Sequence, residues 1–231
     1  MGRRTSFAVG EWYHCYNRGT EKRKIFSSRA DYLRFWLLMY ISNGTRPVHL
    51  SNLKEKSFES IGHKDPIDRG KPLVEVGAYC LMPNHIHFVV KEICEGGIAR
   101  YMQKIFTGYT MYFNKKNERT GGLFESTYKA KHVGADRYLK HLVSYVHLNP
   151  AELFDSRWKD GHADKKTIET QLMQYPYSSV HEFMGAKRPE GVLVADTIFE
   201  MYESIPPFAE IIAEAQGYYE ELGATSISKP K

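Results

Sequence analysis

Two histidines separated by a single residue, His85 and His87, are the first side chains in this sequence that could act together. On a β-strand alternate side chains share a face, so both imidazoles would project the same way while Ile86 enters the core. Two neutral imidazoles on one face can bind one divalent cation and leave most of its coordination sphere open to phosphate oxygens and water. The plainer alternative is a pair of half-exposed strand histidines. A second constellation surrounds Tyr145. Helical periodicity puts Leu139, Leu142, Val143 and Val146 on one apolar stripe, and Tyr145 falls roughly a quarter-turn or more off it. Asn149 follows one turn later and His141 precedes by one turn, so Tyr145 stands in a polar row. Asn149-Pro150 can equally be a simple helix stop. A zinc site built from Cys80, His85, His87 and Cys94 is disfavoured, because Cys80 is an odd offset from His85 and no Cys-x-x-Cys spacing exists.

The elements that must carry these groups can be traced along the chain. Trp12 to Tyr16 alternates as a strand before a turn-like Asn17-Arg18-Gly19. Ser28 is a suitable N-cap for a helix through Tyr32, Phe35, Trp36 and Met39, ended by Asn43-Gly44. Residues 45–71 read as a loop insertion. Val74 to Met82 and His85 to Lys91 form a hairpin about Pro83-Asn84. Gly96-Gly97 opens a helix from Ile98 to Phe113. Phe124 to Val133 follows as a strand, and Asp136 caps the helix of Tyr145, which Pro150 stops. The order β-α-β-β-α-β-α is that of a ferredoxin-like split sheet with one extra helix, an α+β fold with its helices on one side. Helical stretches near 166–174, 176–184 and 207–222 suggest a division into 1–150 and a mostly helical extension, 151–231.

The charge is unevenly spread. The net charge is +5 over 231 residues. Residues 1–30 carry seven Lys or Arg against two Asp or Glu, and residues 97–133 carry the same balance. Residues 151–231 hold eight basic and fourteen acidic side chains. That asymmetry points to a polyanion-binding face in the first two-thirds and an acidic appendage after it. Three cysteines without framework spacing read as free thiols, and no run of about 18 apolar residues is present. A soluble, cytoplasmic protein with no membrane association is expected.

The run Tyr79-Cys80-Leu81-Met82-Pro83-Asn84-His85-Ile86-His87-Phe88-Val89-Val90 resembles the His-hydrophobic-His motif of the single-tyrosine (HUH) transposases of insertion sequences. Within them it is similar to the REP-associated tyrosine transposases. The resemblance extends to Tyr13-His14-Cys15-Tyr16-Asn17-Arg18-Gly19, to Tyr112-Phe113-Asn114 through Gly122-Leu123-Phe124 and Tyr128-Lys129-Ala130, and to Tyr145-Val146-His147-Leu148-Asn149-Pro150. A weaker block is Tyr175-Pro176-Tyr177-Ser178-Ser179. Together these five ordered blocks span roughly 11–184.

The resemblance implies an HUH nuclease fold and Tyr145 as the nucleophile. It implies His85, His87 and Asn149 as ligands of Mg²⁺ or Mn²⁺, although many relatives carry Gln where this chain has the shorter Asn149. The implied reaction is metal-dependent cleavage and rejoining of single-stranded DNA at hairpin-flanked sites through a 5′-phosphotyrosine. Single-stranded, REP-like hairpin DNA is the implied partner, with a monomer favoured over a homodimer. A proton acceptor for Tyr145 is either metal-bound hydroxide or His141. Arg18, Lys115, Lys116, Arg119, Tyr128, Lys129 and Lys131 are the candidate DNA contacts, by charge and by stacking. Two other functions compete: a DNA or RNA hairpin-binding regulatory module with little catalysis, and a metal phosphodiesterase using water, for which Tyr145 would be dispensable.

Overall fold

The strand β1 (Trp12–Arg18) is the organising element, because it is central in the sheet and both of its neighbours come from far along the chain. The computed structural model describes residues 6–50, 67–156, 158–160 and 164–215. Four strands run in the order β2-β3-β1-β4, with β2 (Val74–Met82), β3 (His85–Glu92) and β4 (Lys129–Val133). All pairings are antiparallel, with Tyr16 opposite His87, Arg18 opposite His85 and His14 opposite Lys131.

One face of this sheet is covered by α1 (Arg29–Ser42) and α2 (Gly97–Lys116), the ferredoxin-like arrangement expected. Ile86, Phe88 and Val90 point to that face and pack with Phe35, Met39, Tyr101 and Ile105. Ser28 caps α1 as expected, and Asp31 completes a capping box by accepting from the Ser27 and Ser28 amides at 2.9 and 3.0 Å. Asn43 ends the helix and ties it to the sheet, its side-chain oxygen accepting from Leu73 and Val74 amides at 2.9 and 3.0 Å. The start of α2 is held by a fully buried carboxylate: Glu92 accepts from the Gly97 and Ile98 amides at 3.1 and 2.7 Å.

The opposite face carries the extra helix, α3 (Asp136–Leu148), whose Leu139, Leu142, Val143 and Val146 pack on Ala78, Cys80 and Val89. This same core takes in residues beyond 150: Trp158, Ile168 and Leu172 of α4 (Lys165–Gln174), Phe183 of the short α5 (Val180–Phe183), Ile198 and Ile211. The segment also covers the open edge of β2, since Leu81 donates to the Tyr177 carbonyl at 2.9 Å and Ser179 and Ala195 donate to Tyr79 and Val76 at 3.0 and 2.8 Å. An edge strand so paired cannot template association with another chain. Where β2 bulges, at Gly77, any Cβ would lie 2.8 Å from the Trp12 ring and 2.9 Å from Ile198.

Several boundaries differ from expectation. β1 continues through Asn17 and Arg18 instead of turning there. The strand expected from Phe124 begins only at Lys129, because the Asn17 side chain donates to the Ser126 and Thr127 carbonyls, both at 3.0 Å, and draws those residues out of the ladder. Ala135, not Asp136, is the N-cap of α3. Pro150 does not stop the chain's winding: a 3₁₀ turn, Asn149–Leu153, follows directly, since proline is tolerated in a first turn. Of the insertion at 45–71, residues 51–66 lie outside the described residues, and its ends are clamped by Thr45 and Arg46 donating to Lys71 and Arg69 carbonyls at 2.9 Å. Of the helical stretches expected late in the chain, 166–174 matches α4. Within 176–184 only α5 forms, and 207–222 is helical over 208–215 and otherwise lies outside the described residues.

Candidate active site

Strand parity and register bring the chemistry to one end of the α3 face. His85 and His87 leave β3 on that side, with ring centroids 5.0 Å apart and nearly perpendicular. Tyr145 on α3 reaches across to them, its ring 5.5 Å from that of His87 at 90°. Asn149, one turn on, is buried. A cavity of about 250 Å³ collects these four with Tyr16, Arg18, Lys129 and Glu152. Its walls come from β1, β3, β4 and α3, so no single sequence block contains it.

The ring nitrogens of the two histidines are differently engaged. His85 Nδ1 lies 2.7 Å from the Asn84 side-chain oxygen. The Asn84 amide nitrogen is directed at the Lys22 carbonyl, 3.3 Å away, so Asn84 presents an acceptor and His85 Nδ1 carries the proton. His87 Nδ1 lies 2.9 Å from Nε2 of a third histidine, His14. The Asn149 side-chain amide donates to the Tyr145 carbonyl at 2.8 Å, and its side chain also interacts with the His85 ring. Asn149 is the C-terminal cap of α3 and lies beside His85.

Burial sets the electrostatics. It lowers the pKa of His85, with Arg18 adding to the effect, and holds His87 well below the ordinary imidazole range, reinforced by His14 and His85. His14 is pushed down to about 3, by burial and then by Lys131. All three rings are neutral at physiological pH, the form that can ligate a metal. Burial, then the field of Glu152, raises Tyr145 to about 12, while Asn149 opposes this. An unassisted phenol here is a weaker nucleophile than tyrosine in water. Two imidazoles and an amide oxygen suit a hard or borderline divalent cation. Among the described residues no group of three or more His, Cys, Asp or Glu side chains is arranged to hold a metal.

The expected DNA contacts divide. Arg18 and Lys129 line the cavity, and Lys131 shares its sheet face, with its ammonium 5.1 Å from the Tyr138 ring centre. Lys115, Lys116 and Arg119 sit at the far end of α2, on the other side of the sheet, where Lys116 pairs with Asp31 at 2.6 Å and Arg119 donates to Asn114 at 2.7 Å. Tyr128 stacks toward Phe106 in a groove between α2 and β4. His141 does not line the cavity, and Glu152 does.

His14, Asn84 and Glu152 were not singled out from the sequence. The alternation Trp12, His14, Tyr16 marks one face of β1, but only the pairing with β3 shows that this face is the one bearing His87. The parity argument against Cys80 is corrected. The hairpin reverses the chain, so Cys80 is directly opposite His87 and shares its face. Cys80 is nevertheless fully buried, with its thiol pKa raised well above normal by that burial, and Cys94 lies elsewhere, 3.6 Å from the Leu73 carbonyl.

Comparison with known proteins gives one family match. Residues 69–149 match the family described as Transposase IS200 like, a segment running from just before β2 to Asn149 and including both histidines and Tyr145. Over that third of the chain the protein is similar to IS200-like transposases, and the resemblance read from its sequence is borne out. No curated protein matches the chain. A solved structure described as a REP-associated tyrosine transposase bound to a REP hairpin aligns with 82% of this chain and 89% of its own, at 14% identity and a TM-score of 0.49. Among the described residues no helix is long and apolar enough to cross a membrane.

Proposed function

We propose that this protein is a metal-dependent single-stranded DNA endonuclease and strand transferase that works through a 5′-phosphotyrosine on Tyr145. The observation that carries the reading is the convergence of Tyr145 with His85, His87 and Asn149 around one cavity. Residues 1–150 act as the catalytic domain and 151–231 as an extension, whose described residues pack on it. His85, His87 and Asn149 would hold Mg²⁺ or Mn²⁺, which when bound supplies Lewis-acid polarisation of the scissile phosphate. Arg18, Lys129 and Lys131 hold the flanking phosphates by charge. The Tyr145 oxygen attacks phosphorus, the bond to the 3′-oxygen breaks, and the phenolic proton passes to a base. Glu152, which lines the cavity, is better placed for that proton than His141. The covalent bond conserves the energy of the phosphodiester, so a second 3′-hydroxyl can displace Tyr145 and rejoin the strand. Hairpin DNA is the substrate, with Lys115, Lys116, Arg119 and Tyr128 available to the more distant parts of it. The protein works as a cytoplasmic monomer.

A second reading is a hairpin-binding regulator with little catalysis. Labelled hairpin DNA with Mn²⁺ separates them. The wild type should give an adduct that survives SDS, and Tyr145→Phe should lose it, with cleavage down at least about 10³-fold. Binding without any adduct would move the regulator ahead. Cleavage that persists in Tyr145→Phe would sink the tyrosine mechanism in favour of an activated water.

A further inference from the structure

We infer that His14 is a positioning residue for His87: it accepts a hydrogen bond from His87 Nδ1–H and so holds that ring with Nε2 toward the cavity. The contact itself is independent of the proposed function, but its direction rests on the reading of His87 as a cation ligand.

Three observations support it. The two rings meet nitrogen to nitrogen at 2.9 Å, with 19° between planes and 5.1 Å between centroids, as in-plane hydrogen bonding requires. Both side chains are nearly buried, so water cannot easily replace either partner. One proton lies between the two nitrogens, and which ring owns it decides the tautomer of both. His85 supplies the direction. Its Nδ1 faces the Asn84 side-chain oxygen at 2.7 Å and is the donor of that pair. If His87 donates likewise, both imidazoles present the same nitrogen to one cavity. If His14 were the donor, Nε2 of His87 would carry a proton where a ligand needs a lone pair.

A histidine serving as the acceptor for a ligating histidine fills the place usually taken by a carboxylate or a backbone carbonyl. The sequence separation of the pair, 14 against 87, makes it a product of the β1–β3 register. His14 also lies 5.9 Å from the Tyr145 ring, edge to face, so the same side chain buttresses the nucleophile. It falls outside the segment that matches the transposase family.

The test uses the full chain without DNA. Long-range ¹H–¹⁵N correlation spectra should show His87 as the Nδ1–H tautomer, and a His87 found as Nε2–H would overturn the inference. His14→Phe should redistribute that tautomer and weaken Mn²⁺ binding, read by calorimetry, by about 10–100-fold. His14→Gln, whose amide oxygen can accept the same hydrogen, should stay within a few-fold of wild type. If His14→Phe is folded and keeps both tautomer and affinity, the inference fails. A wild type with Nδ1–H at His87 that binds no Mn²⁺ would leave the positioning role standing and sink the cation reading instead.

Discussion

On one face of the sheet Ile86, Phe88 and Val90 meet α1 and α2 in a core rich in aromatic rings, and the buried charges there, Glu92 and Asp31, are spent on helix starts. On the other face, residues one position away on the same strands, His85 and His87, meet α3 across a cavity, with neutral imidazoles and a raised phenol. Alternation by one residue thus divides β3 between holding the fold and doing the chemistry. The α3 face is itself divided: beside the histidines and further along the strands lie apolar side chains such as Cys80, Ala78 and Val89, over which α3 and residues beyond 150 close.

Adjacent substitutions on β3 would break this division most sharply. His87→Ala should reduce cleavage by at least about 10³-fold, roughly 4 kcal/mol of barrier, while the protein remains folded. Phe88→Ala should cost about 3–5 kcal/mol of stability by leaving a core cavity. Equal stability losses at the two positions, measured by denaturant unfolding, would contradict the comparison. Acid should next distinguish the faces. His14 on the active face and His147 behind it both have folded pKa values of about 3, set mainly by burial, against about 6.5 when unfolded. A depressed folded pKa favours the neutral ring, so this stability is present above pH 6.5 and is lost as pH falls. Each should contribute a slope of up to about 1.4 kcal/mol per pH unit below 6.5, and His14→Phe should flatten it. A profile flat from pH 7 to 5 would refute neutral burial.

On the α1 face, Asp31→Ala removes the acceptor for Ser27 and Ser28 and the partners of Lys116 and Tyr112. It should cost about 1–2 kcal/mol in thermal or denaturant melts, with DNA cleavage by the folded fraction unchanged. The smallest effects are expected at single lysines. Lys129→Ala or Lys131→Ala should lower the salt dependence of single-strand binding by about 0.7 in log–log slope each. Lys115→Ala should do so only on DNA long enough to pass around the sheet, and an equal effect on a short oligonucleotide would extend the DNA path beyond the active face.

Much of the site was legible in order along the chain. His85-Ile86-His87 announced a shared face because strand periodicity is local, and Tyr145 stood off its apolar stripe because helix periodicity is local too. Ser28, Asn43 and the start of α2 after Gly96 were legible locally, while α2 runs on to Lys116, one turn past the expected Phe113. What was missed depends on register. Whether Cys80 shares a face with His87 is decided by a two-residue hairpin, whether His14 touches His87 by the β1–β3 pairing, and whether Lys129 or Lys115 is near Tyr145 by which side of the sheet each helix takes. The sequence by itself determined the elements, their faces and the chemical types at the site, since these follow from interactions within a few residues. Only the tertiary structure decided that His14 joins them and that the region beyond 150 seals β2, because those contacts close over tens of residues and leave no periodic trace.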